Sequence, residues 1–169
     1  LENDMPAASY HGYAITDHYR IDPRYGTHSD YVNWVDGLHV RGMKAIKDMV
    51  FNHVGTGHYL YQSPPDSSWF NAWPSAPATD PRAKARGEEK PAFTSIHRYQ
   101  TLYDPYGSAR DRERQTDGWF VGSMPDVNGR DPHCARYFIQ NSLWWIEEAQ
   151  LDGFRVDTWL YPDQAFMRE

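Results

Sequence analysis

The chain has 169 residues and a mass of 19.7 kDa, a length typical of a single domain. Hydrophobic residues make up 40% of it, and no apolar run approaches the roughly 18 to 20 residues of a membrane span, which excludes a membrane-spanning protein. The formal net charge is −6, so the basic character of a general nucleic-acid binder is missing, and we expect neither a membrane nor a nucleic acid as partner.

Aromatic residues and a single cysteine distinguish the composition. Aromatic residues reach 15%, which suits flat sugar or peptide sites as well as a packed core. Cys134 is the one cysteine, so no internal disulfide can form, and we expect its side chain to be buried as a small hydrophobic group. The chain begins at Leu1 without a leader pattern, and we expect the natural N-terminus to lie upstream.

The first predicted element is a helix from Thr27 to Gly42. Thr27 can cap this helix together with Asp30, and Gly42 is a typical helix end. The apolar residues at helical spacing are Tyr31, Trp34, Val35 and Leu38, which we expect to form the buried face.

A strand is predicted directly after this helix, from Met43 to Phe51. The segment is short, rich in β-forming residues and largely apolar, which is typical of a strand buried on both faces. The alternation of side chains along this strand directs Lys47 toward the helix layer, where the amine must reach solvent or find a partner. Asn52 and His53 follow at the C-terminal end of the strand.

The next segment, residues 54–123, holds most of the prolines and shows no sustained helical or strand period. An excursion of this length is too long for an ordinary loop, so we predict an inserted subdomain.

A second helix and a second strand follow. Asp131 before Pro132 is a favourable helix start, and the helix is predicted to run to about Gln150. Its apolar stripe comprises Ala135, Phe138, Ile139, Ser142, Trp145, Ile146 and Ala149. The strand is predicted from Leu151 to Asp157. Alternation along it places Phe154 and Val156 on one face and Gly153, Arg155 and Asp157 on the other. The order of elements predicts an α/β fold with a parallel sheet.

Polar side chains stand where both predicted strands end. In parallel α/β folds, sites are built at the carboxyl ends of strands. The alternation of side chains along the first strand places Asp48 on the enclosed face of the sheet, within reach of Arg155. We predict an ion pair, because neither charge is tolerated unpaired on an enclosed face. Asp48 would then be a structural strut that orients Arg155. Asp157, at a strand end beside an arginine, is a candidate nucleophile, and a structural carboxylate is the alternative.

Four short motifs resemble a known enzyme family. The runs YHGY (10–13), DMVFNH (48–53), MPDVN (124–128) and GFRVD (153–157) occur in the order and approximate spacing of the α-amylase family, glycoside hydrolase family 13. The stretches around the last two motifs look most like the neopullulanase, cyclomaltodextrinase and periplasmic starch-utilisation amylase branch. The resemblance covers practically the whole chain, and four ordered motifs are specific where one alone is not.

The resemblance implies an eight-stranded (β/α) TIM barrel, which typically has about 250 residues. This chain would supply only part of it, about strands 3 and 4 with their helices. Residues 1–53 and 124–169 would be barrel segments, and residues 54–123 would correspond to the inserted domain B of the family. The general-acid glutamate and a second aspartate of the family would lie on later strands, so we do not expect this segment alone to hydrolyse a substrate.

The resemblance also assigns roles to individual residues. Asp157 matches the catalytic nucleophile of a retaining glycosidase, and Arg155 matches the arginine that orients it. His53 matches a histidine that hydrogen-bonds the glucose in subsite −1, and Tyr13 matches the aromatic platform for that ring. His11 is included among the substrate-binding residues. The alternatives are that His53 only caps the strand end and that Tyr13 is ordinary core packing.

Calcium is the cofactor that the resemblance implies. Asn52 and Asp126 match residues that contribute oxygen ligands in the calcium-dependent members, and oxygen is the ligand that calcium prefers. Asp126 as a solvated or loop-capping carboxylate is the alternative. Residues 158–161, with the sequence TWLY, replace the alanine, lysine and histidine run of many α-amylases, so the reducing-end contacts of those enzymes are not expected here.

The implied function is hydrolysis of α-1,4 linkages in starch, maltodextrin, cyclodextrin or pullulan through a covalent intermediate on Asp157. One alternative is an isomaltase-like or transglycosylating relative. Another is a non-catalytic relative that binds carbohydrate or serves in protein assembly, although a binding protein needs no nucleophile. The sequence does not fix the compartment, and resemblance to periplasmic amylases is compatible with a periplasmic or secreted protein.

Overall fold

A computed structural model describes residues 5, 10–71 and 104–169 of the chain. Its α-helices are α1 (His28–Val40), α2 (Tyr59–Gln62), α3 (Ala109–Asp117) and α4 (Pro132–Ala149), and its strands are β1 (Ile46–Val50) and β2 (Gly153–Asp157). Short 3-10 helices cover Ser67–Trp69 and Phe166–Arg168. None of the helices in this described part combines the length and the apolar character needed to cross a membrane.

The two described strands form a parallel pair. Ile46 lies opposite Gly153, and Val50 lies opposite Asp157. The predicted order of helix, strand, long excursion, helix and strand is therefore confirmed for the described residues. Both strands are shorter than the predicted 43–51 and 151–157, because ladder pairing is confined to the five residues of each strand that face each other.

The two faces of β1 differ in burial. Lys47 and Met49 are buried against the helices, whereas Ile46 is 61% exposed and Asp48 is also exposed. The prediction of a strand buried on both faces is therefore wrong for most of its length. The physical reason is that the sheet of the described residues has two strands, and no further described strand covers the face that carries Asp48.

Helix α1 begins and ends as its sequence predicts. The Asp30 backbone N–H donates to Thr27 Oγ1 (3.2 Å), and the Thr27 N–H donates to Asp30 Oδ2 (2.8 Å), which forms a capping box. At the other end, Gly42 adopts a φ of +70°, and its N–H donates to the His39 carbonyl (2.8 Å). A Met43 N–H bond to the Leu38 carbonyl (3.0 Å) completes a Schellman motif, which is why glycine suits this position.

Helix α4 is capped by Asp131 and ends at Gln150, which adopts a left-handed conformation with φ of +52°. The fully buried Trp145 donates its indole N–H to the His18 carbonyl (2.7 Å), and Asn141 donates to the same oxygen (3.1 Å). These two hydrogen bonds hold the segment that precedes α1 against helix α4.

Two members of the predicted apolar stripes lie outside the core. Trp34 is 52% exposed, and Ile146 is 38% exposed, so their predicted burial is wrong. Trp34 lies next to the fully buried Val35, and Ile146 lies next to the fully buried Trp145. The buried face of each helix is therefore narrower than the stripe of apolar residues in its sequence. Cys134 is buried, as predicted.

The inserted segment is described at its two ends, and residues 72–103 of it lie outside the described residues. The sequence pattern missed α3 because its residues, ARDRERQTD, are almost all polar and give no apolar period. Ser108 caps this helix by accepting from the Asp111 N–H (3.0 Å).

Lys47 is the one charged residue of β1 that points toward the helices, as predicted. Its ammonium lies 3.8 Å from the ring centroid of Trp145 and 4.5 Å from that of Tyr31. Burial lowers the pKa of Lys47 to about 8, because the interior disfavours the charged form. The two aromatic rings compensate part of this cost through cation–π attraction.

The replacement Lys47→Met tests this burial. Because the folded pKa of about 8 lies below the usual 10.5, the unfolded state binds more protons between these values. The free energy of unfolding of the unchanged protein should then rise with pH across this window, by at most about 1.4 kcal/mol per pH unit. We expect the variant to lack this rise. Urea unfolding at pH 7, 8, 9 and 10 measures it.

Arg136→Met is the control, because it also removes one positive charge but from an exposed position on α4, and it should leave the pH dependence unchanged. Equal slopes for the unchanged protein and Lys47→Met would contradict the prediction.

Candidate active site

The centre of the site is the guanidinium of Arg155, which bridges two carboxylates. Its Nη1 lies 3.0 and 3.1 Å from the two oxygens of Asp48 and 2.7 Å from Asp157 Oδ1. Asp48 and Arg155 face each other in the parallel register, and Asp157 lies two residues further along the same face of β2. The predicted Asp48–Arg155 ion pair is therefore confirmed.

The solvent exposure of this pair differs from the prediction. Asp48 and Arg155 have side chains that are 45% and 50% exposed, so the face that carries them is open rather than enclosed. Asp157 is more covered, at 14%. The hydrogen bonds that Arg155 donates to both carboxylates raise the pKa of its guanidinium, which therefore stays positively charged.

Tyr13 lies against this cluster. Its hydroxyl donates to Asp48 Oδ2 (3.3 Å), and its ring stacks on His11 with centroids 5.9 Å apart. The Tyr13 N–H also donates to His11 Nδ1 (3.0 Å), so His11 fixes the local backbone. Partial burial and the nearby charge of Asp48 raise the pKa of the Tyr13 hydroxyl. Tyr13 is half-buried, which leaves part of its ring available for contact.

A close backbone approach brings the Tyr13 segment to the end of β1. The Gly55 N–H donates to the Ile15 carbonyl (2.7 Å), and a Cβ on Gly55 would lie 2.7 Å from the Ala14 carbonyl oxygen. A side chain at position 55 would push the two segments apart. Glycine is therefore required here for Tyr13 and His53 to belong to one site.

His53 is buried at the end of this strand segment. Its pKa is lowered to about 4, mainly by burial, with the Tyr13 backbone acting in the opposite direction, so the imidazole is neutral at pH 7. Its Nε2 is buried and has no hydrogen-bond partner among the described residues. Phe120 packs edge to face on the ring (centroids 5.2 Å) and contacts Tyr161 in the same manner (5.0 Å).

Phe120 was missed at the sequence level. It belongs to the run DGWFVG, which ends one residue before the MPDVN motif, and that proximity was the available signal. Trp159 is 45% exposed just beyond β2, after Thr158 turns the chain with a φ of +50°. Phe120, Trp159 and Tyr161 thus add aromatic surface beside the predicted residues.

Two buried oxygen atoms lie beside His53 without hydrogen-bond partners in the described part of the chain, Asn52 Oδ1 and Asp126 Oδ1. The segments that carry them are joined by a bond from the Val127 N–H to the Asn52 carbonyl (2.9 Å) and by an antiparallel bridge between His53 and Asp126. Asn71 donates to the other Asp126 oxygen (2.8 Å).

Asp126 is only 1% exposed, so the interpretation as a solvated carboxylate is wrong. Burial raises the pKa of the Asp126 carboxyl well above its usual range, because the interior disfavours the charged form. The described residues contain no group of three or more His, Cys, Asp or Glu that could hold a metal ion. A pair of unpartnered amide and carboxylate oxygens nevertheless fits a hard cation that also accepts carbonyl and water ligands.

Comparison with known proteins gives a consistent result. Residues 3–165 match the catalytic domain of the α-amylase family. The chain is 28% identical over 165 residues to an intracellular maltogenic amylase of Bacillus subtilis, covering 96% of this chain and 23% of that protein. It is 27% identical over 168 residues to a cyclomaltodextrinase of Thermoanaerobacter pseudethanolicus, covering 95% of this chain and 24% of that protein.

A solved structure agrees with these relatives. The α-amylase of Geobacillus thermoleovorans, crystallised with acarbose, superposes with a TM-score of 0.70 at 30% identity, over 98% of this chain and 30% of that one. The chain thus spans about a quarter of the length of the curated relatives that it matches.

Proposed function

The chain belongs to the α-amylase family, and from that premise we propose that it carries the nucleophile of a retaining α-glucan hydrolase. The relatives named as a maltogenic amylase and a cyclomaltodextrinase support α-1,4-linked glucans as the substrate class, namely starch, maltodextrin, cyclodextrin or pullulan.

The observation that carries this proposal is the bridge that Arg155 makes between Asp48 and Asp157. In the proposed reaction, a carboxylate oxygen of Asp157 attacks the anomeric carbon while the bond from that carbon to the glycosidic oxygen breaks. The departing oxygen leaves as a hydroxyl with a proton from the general acid that later strands would contribute, and water then hydrolyses the glycosyl–enzyme ester. Arg155 occupies the other oxygen of Asp157 at 2.7 Å and so limits rotation of the carboxylate. Asp48 fixes Arg155 in turn, so one carboxylate orients the other through a shared guanidinium.

The sugar in subsite −1 would lie between Tyr13 and His53. The partly exposed ring of Tyr13 suits the C–H face of a pyranose, and a neutral imidazole can donate to or accept from a hydroxyl. His11 would act beside Tyr13, whose ring and backbone it contacts.

We assign β1 and β2 to the third and fourth strands of an eight-stranded barrel. Residues 1–53 and 124–169 would be barrel segments, and residues 54–123 an inserted domain. The general acid and the second aspartate would be contributed by later strands, and no residue of this chain is assigned to either role.

Calcium is proposed as a structural ion at Asn52 and Asp126. The support is that each presents a buried oxygen without a hydrogen-bond partner in the described residues, in segments that are fastened together. The ion would neutralise Asp126 and hold residues 52–53 against residues 125–127, which stabilises the position of His53.

The nucleophile is tested by Asp157→Asn in the full-length protein. The amide keeps the volume but is a poor nucleophile, so reducing-sugar release from soluble starch, pullulan and β-cyclodextrin should fall at least about a thousandfold. Asp36→Asn on exposed α1 is the control and should keep full activity. An inert unchanged protein, or a variant with undiminished rate, would sink the proposal.

The strut is tested by Asp48→Asn. Arg155 would keep its bond to Asp157 but lose its charged anchor on β1, so the attacking oxygen should be less well placed. We expect kcat to fall by about 10- to 100-fold with KM nearly unchanged. Circular dichroism checks that the variant is folded. A folded variant with unchanged kcat would show that Asp48 does not position the nucleophile.

The cation is tested by thermal unfolding after treatment with a chelator. Added Ca²⁺ should raise Tm, since a ligand at a hundredfold excess over its Kd adds about 2.7 kcal/mol to the free energy of unfolding. Asp126→Asn should abolish the response, whereas Asp36→Asn should retain it. The absence of a calcium-dependent Tm in the unchanged protein would refute the site.

A further inference from the structure

A second concave surface lies away from the carboxylates. We call it the Trp144 pocket; its lining residues include Tyr19, Arg20, Thr27, His28, Trp144 and Glu148. It is open to solvent, with a volume of about 570 Å³, which falls in the range of about 300 to 1,000 Å³ typical of small-molecule sites.

The pocket lies on the helix side of the sheet. Trp144 packs on Trp145 (centroids 4.7 Å), and Trp145 contacts Lys47, whose side chain points to the opposite face of β1 from Asp48. A ligand in the Trp144 pocket would therefore not compete with a ligand at Asp157.

One wall of the pocket is an aromatic corner. Tyr19 meets Trp144 at 64° with centroids 5.2 Å apart, and His28 lies on the indole at 5.6 Å and 41°. Trp144 remains partly exposed despite these neighbours. Rings held at an angle present flat apolar surface in a fixed orientation, which suits the C–H faces of a pyranose.

The rim supplies paired polar groups. His28 Nε2 lies 2.8 Å from Glu148 Oε1, and the two side chains are 37% and 43% exposed. Each group fixes the other and still has an edge that faces water, so both can hydrogen-bond neighbouring hydroxyls. Arg20 lines the pocket as well, so the walls carry a cation, a carboxylate and an imidazole beside the apolar rings, and this mixture suits the many donors and acceptors of a neutral polyhydroxyl ligand.

We infer that the Trp144 pocket is a non-catalytic binding site for a segment of α-glucan. The inference rests on the proposed function for the identity of the sugar. The site would hold a polysaccharide chain on the outer surface while another part of it reaches Asp157, which raises the effective substrate concentration.

Adsorption of the full-length protein to insoluble starch tests this site directly. Trp144→Ala removes the indole ring from the aromatic wall of the pocket. Trp34→Ala is the matched control, because Trp34 is an exposed tryptophan on α1 that does not line the pocket. We expect Trp144→Ala to weaken adsorption about tenfold or more, in line with the loss of an aromatic stacking contact. Trp34→Ala should adsorb like the unchanged protein. Glu148→Gln keeps the aromatic wall and changes only the carboxylate that pairs with His28, so it should weaken adsorption to a smaller extent.

Hydrolysis of a short soluble maltooligosaccharide separates the two proposals. Trp144→Ala should retain the rate of the unchanged protein on this substrate, with loss confined to granular starch. Full adsorption by Trp144→Ala, or failure of the unchanged protein to adsorb, would overturn the pocket assignment. An unchanged protein that adsorbs through Trp144 but hydrolyses no α-glucan would refute the catalytic proposal and leave the pocket standing.

Discussion

The candidate active site depends on the parallel register between β1 and β2. Asp48 lies opposite Arg155, and the alternation of side chains then places Asp157 on the same face. A slip of one residue would place Arg155 opposite Met49, in the helix-facing layer, and break its ion pair with Asp48 across the strands. The register is also supported at the start of the strands, where Asp152 accepts from the Ala45 N–H (2.9 Å) and from Lys44 (2.6 Å).

Local signals in the sequence were sufficient to predict the main elements. The capping box at Thr27, the glycine end at Gly42 and the Asp131–Pro132 start all depend on residues within a few positions of each other, and each is present. The Asp48–Arg155 pair was also predictable, because charges on facing strands have few other partners. The predicted burial of individual side chains was wrong in places, because the exposure of Trp34 or Ile46 depends on which neighbours cover it and not on its spacing in the sequence.

The polar chemistry of the site was only partly predictable, for a related reason. Burial of Asn52, His53 and Asp126 results from long-range contacts, including the bridge between His53 and Asp126 across more than seventy residues. No period in the sequence encodes that contact. Phe120 also packs on His53, from which it is distant in the sequence, so its place in the site follows from long-range contacts and not from a local pattern.

Two groups of polar residues therefore lie near the end of β1, one buried and the other exposed to solvent. Asn52, His53 and Asp126 are desolvated, which keeps the imidazole neutral and makes the Asp126 charge costly. Asp48 and Arg155 stand about half exposed, where water screens their attraction, so the exposed pair contributes little to stability. Closing a barrel over that face, as we propose for the whole protein, would remove the screening water and strengthen the attraction between the charges. The same bridge would then hold Asp157 more rigidly, so the strength of this arrangement is set by the strands that cover it as much as by the residues that form it.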